Sequence, residues 1–144
     1  MITARILLLP LLTVLLPYAA RAQAPAHPFR AGAAKVDITP AALPKNSEGI
    51  LDRIYARAIV IDNGVARAAL VSADTGMLGE QVWKSVSQRI EQELGIPARN
   101  LVMNPTHTHS AFAGSADQIF EAVRAARENL PPARIGYGPG VSYI

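Results

Sequence analysis

The chain contains no cysteine, so it has neither a disulfide framework nor a thiolate to offer a metal, and any metal must be held by imidazole, carboxylate or tyrosine oxygen. Histidine is scarce as well: His27, His107 and His109 are the only three in 144 residues. No run of lysine or arginine occurs, and no basic stripe is interleaved with aromatics, which removes the electrostatic footprint of a nucleic-acid binder. Internal repeats are absent. The single low-complexity tract is the Ala/Pro-rich stretch from Ala22 to Pro28, which reads as a flexible lead-in.

What the beginning of the chain does have is apolar. Arg5 supplies a positive charge ahead of Ile6 to Leu16, an apolar run interrupted by Pro10 and too short to span a bilayer comfortably. Ala22-Gln23-Ala24 follows with the small-x-small pattern of a cleavage site. Residues 1–24 therefore read as a secretory signal peptide cleaved after Ala24. The protein is expected to be secreted or periplasmic, with no stable transmembrane segment after cleavage. Two of the fourteen basic residues, Arg5 and Arg21, leave with that segment, so twelve face eleven acids and the mature net charge is +1. The basic pI of about 9.6 is mostly a property of the leader.

Residues 25–144 are enough to bury a core. Strand patterns occur at Ala33–Ile38, Tyr55–Ile61, Ala66–Ala73, Leu101–Asn104 and Arg134–Tyr137. Asp62-Asn63-Gly64 joins the second and third as a hairpin turn. Trp83, Val86, Ile90 and Leu94 recur at helical spacing, and Gly95 with Pro97 stops a helix over Gly79–Leu94. Ile119, Val123, Ala126 and Leu130 form a second stripe, opened by a Ser115/Gln118 capping box and stopped by Pro131 and Pro132. Alternation of strands and helices in the latter half predicts an α/β fold, with a mixed, partly parallel sheet and flanking helices.

The most informative segment is Asn104-Pro105-Thr106-His107-Thr108-His109-Ser110. If the preceding strand runs on, residues two apart share a face and the two imidazoles project together. Such a pair looks like part of a metal site; zinc would need about three or four ligands, and the remaining ones cannot be read from spacing. The competing reading is a strand-end pair whose neighbours Thr106, Thr108 and Ser110 bond to local backbone. In open α/β sheets ligands collect beyond the carboxyl ends of strands, where the chain places both this segment and Val71-Ser72-Ala73-Asp74. Asp74 is thus a candidate partner for an imidazole, against the alternative of capping the loop before Gly79.

Other conspicuous residues read as structural. Asp37 in Asp37-Ile38-Thr39-Pro40 is expected to accept local backbone N–H bonds, Trp83 to lie in the core, and Asp52 with Arg53 to form a solvated edge. Gly136, Gly138 and Gly140 precede no helix, so they make no phosphate loop.

In this order the segments AGAAKVDITP (Ala31–Pro40), GILDRIYARAIVID (Gly49–Asp62), ALVSADTGM (Ala69–Met77), GIPARNLVMNPTHTHSA (Gly95–Ala111) and ARIGYG (Ala133–Gly138) resemble the neutral/alkaline non-lysosomal ceramidases and their secreted bacterial relatives, along nearly the whole mature chain. The resemblance implies that residues 25–144 are an N-terminal portion of a ceramidase-like catalytic domain. It also implies a zinc-dependent amidase that hydrolyses the N-acyl bond of ceramide to sphingosine and a fatty acid. By residue, His107 matches the first zinc-ligand histidine and His109 the neighbouring active-site histidine near the metal-bound water. The implied partner is a ceramide-like N-acyl lipid or another amide.

Two departures from the family pattern bear on function. Where the family often continues with SGPGG, this chain has Ser110-Ala111-Phe112-Ala113-Gly114, which puts side chains where bare backbone would approach a substrate. The further histidine, glutamate and tyrosine that complete the family's zinc shell, and its catalytic serine, come later than the segments matched here, and this sequence ends at Ile144. The isolated chain is therefore expected to be inactive. The alternative is a truncated secreted module without catalysis that at most binds metal or ligand weakly. Strands left without neighbours are also expected to lower solubility.

Overall fold

Alternation of small or β-branched residues with polar ones sets the sheet, and two apolar helical stripes cover one of its faces. The computed structural model describes residues 28–43, 45–109, 111 and 115–142, and the leader expected at residues 1–24 lies outside them. Strands β1 (Arg30–Asp37), β2 (Tyr55–Asp62) and β3 (Arg67–Ala73) precede helix α1 (Glu80–Leu94). Strand β4 (Leu101–Pro105) and helix α2 (Ala116–Glu128) follow. The sheet order is β1-β2-β3-β4, with the first two pairings antiparallel and β3–β4 parallel. The expected α/β class with a mixed, partly parallel sheet is what forms.

Register puts Ala34, Ala58, Val71 and Met103 in one cross-strand row, with Gly32, Val60, Ala69 and Leu101 in the row beside it. These rows face the helices. The core joins them to Val86, Ile90 and Leu94 of α1 and to Ile119, Phe120, Ala122, Val123 and Ala126 of α2. Small residues on the sheet let α2 approach closely, most of all at Gly32. Among the described residues no helix covers the opposite face. Ala33, Ile59, Leu70 and Val102 form a row across it, and the last three are about half exposed, at 48%, 46% and 58%. An apolar row left open to solvent favours association.

Both helices end as their sequences dictate. The Ser115 hydroxyl accepts the Gln118 N–H at 3.2 Å while the Gln118 side chain accepts the Ser115 N–H at 3.1 Å, completing the capping box. Gln118 also donates to the Asp37 carbonyl at 3.1 Å, which joins α2 to the end of β1. At the end of α1, Gly95 takes φ +66° and donates to the Glu91 carbonyl, and Ile96 donates to Ile90, the pattern of a Schellman stop. Arg127 of α2 donates to the Leu94 carbonyl at 3.0 Å, so a side chain from the second helix closes the first.

The β2–β3 loop is built by its side chains. Asp62 accepts the Gly64 N–H, Asn63 accepts those of Val65 and Ala66, and Gly64 has φ +81°. Asp37 accepts the Thr39 N–H at 2.9 Å, as expected, and also the Arg53 guanidinium at 2.6 Å. Those bonds, Thr39 first, pull its pKa down to about 2.

Two expectations are corrected. No fifth strand forms over Arg134–Tyr137. Instead Ala31 donates to Pro131, Ala133 donates to Phe29, and Pro132 makes a single bridge with Arg30. Prolines at 131 and 132 have no N–H to continue a ladder, and Ile135 and Tyr137 beyond them are exposed. Trp83 is also outside the core, at 40% exposure. The buried stripe of α1 runs through Val86, Ser87, Ile90 and Leu94, with Val82 packed against it, which leaves Trp83 on the flank of the helix.

Candidate metal and catalytic site

The parallel pairing of β3 with β4 ends at Ala73 opposite Pro105, so the loops that leave both strands begin at one rim. The first loop carries Asp74-Thr75-Gly76-Met77 and the second carries Thr106-His107-Thr108-His109. Backbone bonds lace them together. Thr106 donates to the Ala73 carbonyl at 2.9 Å and His107 donates to the Thr75 carbonyl at 3.0 Å.

His107 and His109 are brought together, with ring centroids 4.9 Å apart and planes at 72°, an edge-to-face pair. Both are exposed. Strand alternation does not cause this juxtaposition, because β4 has ended at Pro105 and His107 takes φ +61°. Among the described residues it is the one non-glycine with positive φ, a conformation that costs an ordinary L-residue roughly 1–2 kcal/mol. The pair therefore arises from a turn.

Asp74 does not reach an imidazole in its described contacts. Its carboxylate accepts the Tyr55 N–H at 3.0 Å and the Arg57 guanidinium at 2.7 Å, tying the end of β3 to the start of β2. Neither the imidazole partnership nor a cap before Gly79 describes it. The Asp74 N–H donates in turn to the Tyr55 carbonyl at 2.9 Å, so this residue is held from two sides.

Beside His107 lies an apolar cavity of about 440 Å³, lined by Met77, Leu78, Trp83, Val102, Met103 and Pro105 among others. Trp83, displaced from the core, forms one wall. Met77 and the Thr75-Gly76 backbone were marked in the sequence only as part of the matched segment Ala69–Met77 that leads from strand to helix, and Met103 only as a residue of β4.

The donor chemistry of the site suits zinc, since imidazole is a usual ligand, but the number of donors does not. Among the described residues no group of three His, Cys, Asp or Glu side chains is placed to hold a metal. Two imidazoles are an incomplete shell. Ser110 and residues 112–114, where the chain departs from SGPGG, lie outside the described residues.

Fold and site thus define a mixed α/β protein with an exposed imidazole pair at the carboxyl rim of its parallel strands. The chain belongs to the neutral/alkaline non-lysosomal ceramidase family, whose N-terminal part matches residues 32–138. It is 29% identical to the neutral ceramidase of Pseudomonas aeruginosa, in an alignment covering 88% of this chain and 24% of that protein. It is 31% identical to the neutral ceramidase of Drosophila melanogaster over 60% of this chain and 14% of that one. Among solved structures, a ceramidase complexed with C2 superposes with a TM-score of 0.62 at 26% identity, and the Pseudomonas aeruginosa neutral ceramidase with 0.61 at 28%. Each superposition covers 74% of this chain and 22% of the other. The chain spans about a quarter or less of the length of these relatives.

Proposed function

We propose that this chain carries part of the active centre of a zinc-dependent lipid amidase, with His107 as a metal ligand and His109 as the neighbouring proton carrier. The carrying observation is the edge-to-face pair of exposed imidazoles at the rim, beside an apolar cavity. Zinc, when bound, would supply an acidified water and a polarised amide carbonyl. The chain's own part is narrower. His107 offers a ring nitrogen to the metal, while His109, one ring away, can hand a proton to a departing amine. The apolar cavity suits the alkyl portion of a ceramide-like N-acyl lipid, the substrate class that the names of the relatives suggest.

Two imidazoles bind zinc far more weakly than a full structural set, whose apparent affinity corresponds to about 10–16 kcal/mol. Hydrolysis by the isolated chain is therefore expected to be nil. The ligand count among the described residues supports the second reading, a non-catalytic module that at most binds metal weakly. Calorimetric titration of the mature chain with zinc is expected to show weak binding that drops at least about tenfold in His107→Ala. Binding unaffected by that substitution would remove His107 as a ligand. Turnover of an N-acyl sphingosine by the chain, abolished in His107→Ala, would overturn the inactivity.

We also read residues 1–24 as a secretory signal, which makes the protein secreted or periplasmic. Among the described residues no helix is long and apolar enough to cross a membrane. Amino-terminal sequencing of the exported protein is expected to begin at Pro25, and a start at Met1 would contradict this.

A further inference from the structure

We infer that the loop between β3 and α1 is the positioning element for the histidine pair, and that it acts through backbone and not through a side chain on either ring. This rests on the proposed role of the pair but makes a claim about the metal-free chain. The starting point is the left-handed backbone of His107, a conformation that persists only where the surroundings over-determine it.

Three observations show what determines it. The Thr75 carbonyl accepts the His107 N–H at 3.0 Å, and the Ala73 carbonyl accepts both Thr106 and Thr75 N–H groups at 2.9 Å, so the second loop is laced to the first at two successive residues. At Gly76 an added Cβ would lie 3.3 Å from the Thr108 carbonyl, which belongs to the residue between the two histidines. The first loop therefore closes against the very peptide that sets the spacing of the rings. Asp74 fixes that loop in turn, through Tyr55 N–H and Arg57, and Thr75 is buried at 1% exposure. A chain of contacts thus runs from β2 through Asp74 and the Thr75-Gly76 backbone to His107 and Thr108. Asp74, Thr75 and Gly76 are positioning residues in this scheme and touch no reacting atom.

The experiment is nuclear magnetic resonance on the metal-free chain and two variants, Gly76→Val and Asp74→Ala. The first presses a side chain against the Thr108 carbonyl, and the second frees the loop from β2. In the parent chain a ring-to-ring Overhauser contact between His107 and His109 and a slowly exchanging His107 amide are expected. Each variant should weaken that contact and speed His107 amide exchange about tenfold or more, while the Val60 amide in the core keeps its protection. Unchanged exchange and ring contact in both variants would overturn the inference. So would acceleration at Val60 in step with His107, which would make the loop a general stabiliser. Absence of zinc binding in the parent chain would sink the metal reading alone, because neither readout uses metal.

Discussion

Gly32→Val is expected to lower the melting temperature of this chain by on the order of 12 °C or more. The cause is the closeness of α2 to β1. A Cβ at position 32 would lie 2.1 Å from both the Ala126 and the Asn129 carbonyl oxygens. These are main-chain atoms at the end of a helix whose Ala122, Val123 and Ala126 are fully buried, so no rotamer change relieves the clash. The last turn of α2 would have to lift, opening its contact with the sheet. Overpacking commonly costs about 1–3 kcal/mol, and a clash with rigid backbone belongs at about 3 or above, where each kcal/mol moves the midpoint by about 4 °C or more in a domain of this size. Gly32→Ala should act in the same direction with a smaller loss. Thermal unfolding followed by circular dichroism reads both, and a Gly32→Val midpoint within a degree or two of the parent would refute the packing argument.

Asp62→Ala is expected to destabilise by about 2–3 kcal/mol at neutral pH and to flatten the acid limb of the stability curve. Asp62 is only 3% exposed and accepts the Gly64 N–H at 2.6 Å and the Arg67 guanidinium at 2.7 Å, with Arg30 at 3.9 Å. Removing the carboxylate strips both guanidinium groups of their partner, and the Arg30 Nε is already buried without one. Because the two arginines are more than a third exposed, water screens part of the loss, which keeps the figure below the full cost of a buried pair.

The pH dependence follows from direction. Arg67 first, then the Gly64 N–H, hold the Asp62 pKa below its ordinary value. A depressed folded-state pKa gives stability that is complete above the unfolded value near 4 and is lost as pH falls through the folded value. Asp37, pulled to about 2 by Thr39 and Arg53, adds to the same acid limb. Urea midpoints of the parent chain should therefore fall between about pH 5 and pH 2, and those of Asp62→Ala should fall less. Parallel acid limbs would show that Asp62 contributes nothing there.

The two helices were legible in sequence because their signals are local. A capping box, a C-terminal glycine and residues repeating at helical spacing need no distant partner, and all appear where expected. Strands β2 to β4 were legible for the same reason, from alternation and turn residues. The misreadings concern partnership. Arg134–Tyr137 has strand-like composition, but a strand exists only where a neighbour accepts its ladder, and Pro131 with Pro132 leaves a single bridge to β1. Trp83 fits an apolar stripe in one dimension. Which flank of α1 is covered depends on where α2 and the sheet lie.

By itself the sequence determined the α/β class, the element order from β1 through α2, the absence of thiol chemistry and the family, because period, capping residues and a collinear set of short motifs are written along the chain. Tertiary structure decided what His107 and His109 are to each other. Their edge-to-face approach comes from a left-handed turn held by the carbonyls of Ala73, at the end of β3, and of Thr75, in the loop after it, not from strand alternation. It likewise made Asp74 neither an imidazole partner nor a cap before Gly79 but an anchor of that loop to β2, and opened Trp83 onto the cavity beside His107. Such outcomes depend on contacts between segments far apart in sequence, and a spacing rule carries no information about which of two distant backbones will meet.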